Sequence, residues 1–165
     1  MLVGILVVSD RCFRGEYKDQ SGLYMESFLC EYFNEIKIFR KIVQDEKEDI
    51  KHALLEFSDS IKCNIVLTTG GTGISPRDVT PDVTASVVDR LVPGICEYMR
   101  MKSFEKTPNA MLSRAIAGVR SRCLIINLPG SLKAVKDCLP QITPIFKHSI
   151  GLLSGNVLNC GDDDV

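Results

Sequence analysis

CNIVLTTGGTGISPRDVTPD, residues 63–82, decides how the rest of the chain is read. Its opening, Cys63 to Thr69, is the kind of apolar run expected of a strand covered on both faces. That run ends abruptly at Gly70, Gly71 and Gly73, with Pro76 and Pro81 following. A buried strand that stops in a glycine turn ahead of a helix is one unit of a strand–helix fold. In open sheets of that kind, ligands sit beyond the carboxyl ends of the strands. One stretch therefore bears on both the fold and the site.

Outward from it, the elements alternate. Leu2 to Val8 is a second continuous apolar run and predicts a buried strand. Residues 9–21 read as a polar loop. Met25, Phe28, Leu29 and Tyr32 then recur at i, i+3, i+4 and i+7, which predicts a helix. Residues 36–43 alternate apolar and polar, as a strand does, and Ile50, Ala53, Leu54 and Phe57 give a second helical stripe. Beyond the glycines, residues 82–101 predict a helix interrupted at Val92-Pro93-Gly94, because proline ends or kinks a helix. Within it, Ile95, Tyr98 and Met99 read as core in preference to an interface. Residues 115–128 predict two strands joined near Ser121, and Asn127 to Ser131 turns into another helix. Ile142, Ile145, Phe146, Ser149, Ile150 and Leu153 make the last stripe. The expected fold is an α/β three-layer sandwich around a mostly parallel central sheet. Residues 1–153 form its single domain, and 154–165 a polar, acidic tail expected to fray.

Composition narrows the function. The chain has 165 residues, 45% of them hydrophobic and 25% charged, and a formal net charge of −1. No strong field draws it to nucleic acid or to an acidic membrane. No window approaches the roughly 20 apolar residues that cross a bilayer, and the amino terminus lacks a basic leader. Seven cysteines at 12, 30, 63, 96, 123, 138 and 160 form no C-x-x-C pair, and the two histidines are His52 and His148. Metal-binding thiol spacing is absent, and the scattered thiols imply a reducing, cytoplasmic setting, with Cys63 and Cys123 in the core.

The glycine loop can turn successive amide N–H groups toward an anion, since Gly70, Gly71 and Gly73 tolerate positive φ and carry no Cβ. It is neither the P-loop, which needs a lysine after its last glycine, nor the dinucleotide pattern, because Pro76 stands where the last glycine belongs. Two aspartates each admit two readings. Ser75-Pro76-Arg77-Asp78 has the form of a capping box, and Thr80-Pro81-Asp82 offers a second helix start, so Asp78 is either a cap or a ligand. Asp45 follows the second strand and is either the N-cap of a helix over 47–58 or a site carboxylate at the same edge. Two carboxylates converging on a phosphate loop suit a hard divalent cation.

Taken together these blocks resemble the molybdopterin adenylyltransferase family, which includes the gephyrin G-domain. GGTG followed by SPRDVTPD carries the likeness. Val8-Ser9-Asp10, Asp19-Gln20-Ser21-Gly22, Asp45-Glu46, Pro93-Gly94, Met111-Leu112-Ser113-Arg114 and Ile126-Asn127-Leu128-Pro129-Gly130 extend it, in the family's order, over residues 2–153. The resemblance implies an α/β homotrimer in which Mg²⁺ supports transfer of AMP from ATP to molybdopterin. By position it implies that Asp45 and Asp78 are the catalytic and metal-binding aspartates. It likewise makes Gly70, Gly71, Thr72 and Gly73 the binding loop, with Ser9, Asp10, Ser113, Arg114, Gly130 and Ser131 around the pocket. The chain departs from the family at Gln44, where proline is frequent, and at Ser131-Leu132, where Asn-Pro is frequent. It lacks the second domain that gephyrin-like fusions use, so molybdate insertion is expected to fall to a separate protein. A trimeric scaffold or pterin-binding module of the same fold is the alternative. Retention of both aspartates and the whole glycine loop favours the enzyme.

Overall fold

The computed structural model of the chain describes residues 1–155. In chain order they run β1 (Leu2–Val8), α1 (Asp10–Phe13), α2 (Gln20–Tyr32), β2 (Lys37–Val43) and α3 (Lys47–Leu55). A π turn at Glu56–Ser60 leads to β3 (Ile65–Thr69), α4 (Thr80–Val87), β4 (Arg90–Leu91) and α5 (Pro93–Phe104). After a 3-10 turn at Pro108–Leu112 come β5 (Ala117–Arg120), β6 (Cys123–Leu128) and α6 (Leu132–Ile142). A further 3-10 turn at Thr143–Ile145 leads to α7 (Phe146–Leu153).

The six strands lie in the order β2-β1-β3-β6-β5-β4. β2, β1, β3 and β6 are mutually parallel, while β5 and β4 each run antiparallel to the preceding neighbour. β3 and β6, in the middle, are buried at every residue, which is why their sequences are apolar runs without alternation. Side chains of a strand point alternately to the two faces, and this splits the core in two. Val3, Ile5, Val7, Ile65 and Leu67 meet Met25, Leu29, Met99, Val135, Leu139 and Phe146, from helices α2, α5, α6 and α7. Leu6, Val8, Val66 and Ile125 meet Ile50, Ala53, Leu54, Phe57, Val83 and Val87 on the opposite face. The expected three-layer α/β architecture is the observed one.

Three local expectations are corrected. The segment 9–21 is not all loop: Asp10–Phe13 forms a helical turn, and Asp19 caps α2 by accepting from the Gly22 N–H at 2.7 Å. Pro93 does not interrupt a helix but begins one, where its missing N–H has no intrahelical partner to lose. The chain before it is strand, with the Asp89 and Val92 N–H groups each donating at 2.8 Å to carbonyls of β5. Third, Met99 is core and Ile95 packs against it, but Tyr98 is 42% exposed. Cys63 and Cys123 are buried as expected. Of the acidic tail, residues 156–165 and Cys160 lie outside the described residues. Among the described residues no helix is long and apolar enough to cross a membrane.

Candidate functional site

Parallel pairing brings the carboxyl ends of β1, β3 and β6 side by side, so the loops after Val8, Thr69 and Leu128 share one edge of the sheet. The glycines are there for contact as well as for conformation. Gly70 and Gly71 adopt φ of 105° and 61°, a region costly for residues with a Cβ. A Cβ on Gly70 would collide with the Val8 carbonyl oxygen, and one on Gly130 would lie 3.2 Å from the Gly70 Cα. One on Gly73 would stand 2.9 Å from an Asp78 carboxylate oxygen. The three loops therefore close on one another through backbone.

Beneath the loop lies a buried polar network. The Thr80 hydroxyl donates to the Gly70 carbonyl at 2.9 Å, and the Thr84 hydroxyl to the Thr80 carbonyl at 2.9 Å. Asn127 donates from Nδ2 to the hydroxyls of Thr68 (3.0 Å) and Thr84 (2.9 Å), and its Oδ1 accepts from the Ile116 N–H. The Thr69 hydroxyl donates to the Pro129 carbonyl at 2.8 Å. Buried polar groups must be paired, and here the pairing holds the loop from below. Sequence reasoning missed this floor. A polar Asn127 and two threonines inside otherwise apolar strands were its only signal.

The rim carries the charges. Asp45 is not the N-cap of α3: Glu46 takes that position, without a side-chain cap bond. Instead Asp45 and Asp10 are tied reciprocally. The Asp10 N–H donates to Asp45 Oδ2 at 2.8 Å, and the Asp45 N–H to Asp10 Oδ1 at 3.1 Å. Burial pushes the Asp45 carboxyl above its ordinary range, opposed by that N–H bond. The charges of Asp10 and Asp78 add to the rise, while Arg77 pulls it down. Asp45 thus feels the Asp78 charge. Asp78 forms half of a capping box, its carboxylate accepting from the Ser75 N–H at 2.8 Å, but no helix starts there. α4 starts at Thr80 instead, and the Thr80 hydroxyl donates to the loop where a cap would accept.

Two arginines brace this rim. Nη2 of Arg77 reaches Asp10 Oδ2 (2.8 Å) and Glu46 Oε1 (3.1 Å). Arg114 donates through Nε to the Gly73 carbonyl (2.9 Å), through Nη2 to the Asp78 carbonyl, and through Nη1 and Nη2 to both Asp82 oxygens (2.9 Å each). Ser9 and Ser131 sit at the edge as helix caps, accepting from the Cys12 and Ala134 N–H groups. Gly130 is fastened by the Ser21 hydroxyl at 3.0 Å.

Cavities flank the ridge of Gly70, Gly130 and Ser131. One, of about 440 Å³, mixes polar and apolar groups and is lined by Ser9, Arg11, Tyr17, Lys18, Gly70 and Ser131, among others. The other, of about 310 Å³, is mostly apolar and includes Thr72, Gly73, Met99, Ser113 and Ser131. Asp45 opens on a third cleft with Glu46, Pro76 and Arg77. The structure thus gathers Ser9, Asp10, Asp45, Gly70–Gly73, Asp78, Gly130 and Ser131 at one edge. Ser113 lines a flanking cavity, and Arg114 is turned toward the protein's own backbone. Among the described residues no three His, Cys, Asp or Glu side chains converge as a metal cage. Carboxylate oxygens beside a glycine loop are the donor type that suits a hard cation.

The family model described as "Probable molybdopterin binding domain" matches residues 4–148. Molybdopterin adenylyltransferase of Helicobacter pylori is 39% identical over 164 residues, covering 99% of this chain and 93% of that protein. Its namesake in Escherichia coli is 40% identical over 141 residues, covering 85% of this chain and 72% of the relative. The crystal structure of the molybdopterin biosynthesis enzyme MoaB from Thermus thermophilus superposes with a TM-score of 0.84. The two share 44% sequence identity, over 93% of this chain and 96% of that one. On this match over nearly its whole length, the chain belongs to the molybdopterin-binding domain family of molybdenum cofactor biosynthesis.

Proposed function

We propose that this protein is a molybdopterin adenylyltransferase. The observation that carries the reading is the glycine loop at the strand ends, set between two cavities with Asp45 and Asp78 beside it. An oxygen of the molybdopterin phosphate attacks the α-phosphorus of ATP, forming a new P–O bond as the bond to pyrophosphate breaks. Such a transfer depends on positioning and charge stabilisation and needs no protein nucleophile. The four thiols buried among the described residues agree with a structural role: burial raises all of them, Cys63 to about 11 and Cys96 to about 12.

Each part of the edge has a task in this reading. Amides of Gly70, Gly71, Thr72 and Gly73 hold phosphate oxygens, and the buried threonine–asparagine floor keeps them aimed. Ser9, Asp10, Gly130 and Ser131 form the ridge along which the two substrates meet, and Ser113 borders the apolar cavity. Asp45 and Asp78 would hold Mg²⁺, which when bound supplies positive charge for the phosphates. Asp10 keeps Asp45 oriented through their paired N–H bonds. A scaffold without turnover would have no use for carboxylates gathered at a phosphate loop, one of them raised in pKa by burial.

Residues 1–153 act as one functional unit in this proposal, working in the cytoplasm as a homotrimer. Supporting the assembly, α5 and the following 3-10 turn expose Tyr98, Met101, Phe104, Met111 and Leu112. Light scattering on the purified protein tests it.

The deciding assay mixes purified protein with molybdopterin, ATP and Mg²⁺ and quantifies pyrophosphate and adenylylated pterin. Asp78→Asn keeps shape and removes charge, so turnover should fall about 100-fold, the scale of losing one transition-state contact. Pterin binding without product in the parent protein would overturn the enzyme in favour of the scaffold.

A further inference from the structure

The family resemblance places Arg114 around the ligand pocket, but the guanidinium points elsewhere. Its five N–H donors form a rigid planar fork. Four are spoken for: Nε on the Gly73 carbonyl, Nη2 on the Asp78 carbonyl, and one each from Nη1 and Nη2 on Asp82. The Arg114 backbone N–H also donates to the Thr72 carbonyl at 2.8 Å. One residue therefore ties together the phosphate loop at 72–73, the turn that carries Asp78, and the first turn of α4, where Asp82 sits.

Resting on the adenylyltransferase reading, we propose that Asp82 and Arg114 form a clamp that sets the spacing between the Gly73 amide and the Asp78 carboxylate. Both are positioning residues, and neither touches substrate. The geometry gives Asp82 its part. It accepts both arms of the fork and so fixes the plane of the guanidinium, which in turn fixes the two carbonyls that the same fork grips. The Arg114 and Asp82 side chains are 39% and 53% exposed, so the pair adds little to global stability. Its effect is local. Without it, Gly73 and Asp78 belong to a segment, residues 70–79, that has no helix or strand of its own to hold the two apart at a set distance.

The test compares Asp82→Asn and Arg114→Lys with the parent chain. Hydrogen exchange read by mass spectrometry should rise in peptides covering 70–79 and stay unchanged in the central strands, with the melting temperature held. In turnover, the Mg²⁺ concentration for half-maximal rate should rise about 10-fold in either variant, the scale of losing a group that orients a metal ligand. Saturating Mg²⁺ should restore kcat, and the double variant should be no worse than either single one, since the two side chains act as a unit. Unchanged exchange at 70–79 in Asp82→Asn would overturn the clamp. So would a Mg²⁺ requirement that moves in Arg114→Lys and not in Asp82→Asn, because Arg114 would then be touching ligand directly. The exchange arm does not depend on turnover. A parent protein that makes no product would thus sink the enzyme reading while the clamp is still decided.

Discussion

The floor and the rim of the site are built from different interactions. Thr68, Thr80, Thr84 and Asn127 below the loop are neutral and fully buried, each satisfied by another buried group. Asp10, Glu46, Arg77, Asp82 and Arg114 around it are charged and reach solvent, Arg77 with 58% of its side chain. Losing a buried partner leaves a desolvated group unpaired, at about 1–3 kcal/mol, whereas an exposed ion pair contributes about 0.2–1 kcal/mol. The floor therefore fixes where the backbone runs. The rim fixes where charges point, and it can be disturbed without unfolding the protein.

The largest expected break falls where the loop rests on the floor. Gly70→Ala adds strain of about 1–3 kcal/mol at positive φ, before counting the collision with the Val8 carbonyl. A lower denaturation midpoint with loss of turnover is expected, and a midpoint equal to the parent's would show that the loop can move off β1. Next comes Asn127→Ala, which strands the Ile116 N–H and the Thr68 hydroxyl, removes one of the two bonds at Thr84, and should cost about 3 kcal/mol in denaturant unfolding. That cost should be the same at low and high salt, since no ion pair is lost.

On the rim the effects shrink and become conditional. Asp45 has a raised pKa, so the folded state takes up its proton more readily than the unfolded chain. Its contribution to stability is full below the unfolded value and is lost as pH rises through the folded one. Asp82, lowered by Arg114, behaves oppositely, but its exposure leaves the effect small. For activity the sign at Asp45 is simple. In the proposed metal-holding role the carboxylate must be ionised, so the acid limb of turnover should lie above the ordinary 3.8 of an aspartate. Asp45→Asn should abolish that limb, and a pH profile of the variant retaining it would assign the limb elsewhere. Smallest is salt. Raising NaCl from about 0.05 to 0.5 M shortens the screening length from roughly 14 to 4 Å, which should weaken the Arg77 contacts and leave the melting temperature nearly constant.

Much of the edge was legible in the sequence, and the reasons are local. The apolar runs of β1 and β3 announced strands buried on both faces, and Gly70 to Gly73 announced the turn. The molybdopterin adenylyltransferase resemblance then placed Asp45 and Asp78 beside it. Readings that rested on neighbouring residues alone failed where a distant partner competed. Asp45 was open to reading as a cap because α3 follows it, yet its carboxylate is taken by the Asp10 N–H, 35 residues away. Thr80 offered a helix cap, yet its hydroxyl goes to Gly70. Pro93 suggested an interruption because its role as a first helical residue depends on a strand pairing with β5 just before it.

The sequence by itself determined most of the strands and helices, where the glycine loop lies, and to which family the chain belongs. These follow from side-chain period, from glycine and proline, and from motifs read along the chain. Only the tertiary structure decided what each charged group does. The order β2-β1-β3-β6-β5-β4 carries Asp10 to Asp45, Asn127 to Thr68 and Thr84, and Arg114 to Asp82 and the glycine loop. Hydrogen bonds are short and directional, so a side chain's partner is set by the few ångströms around it after folding.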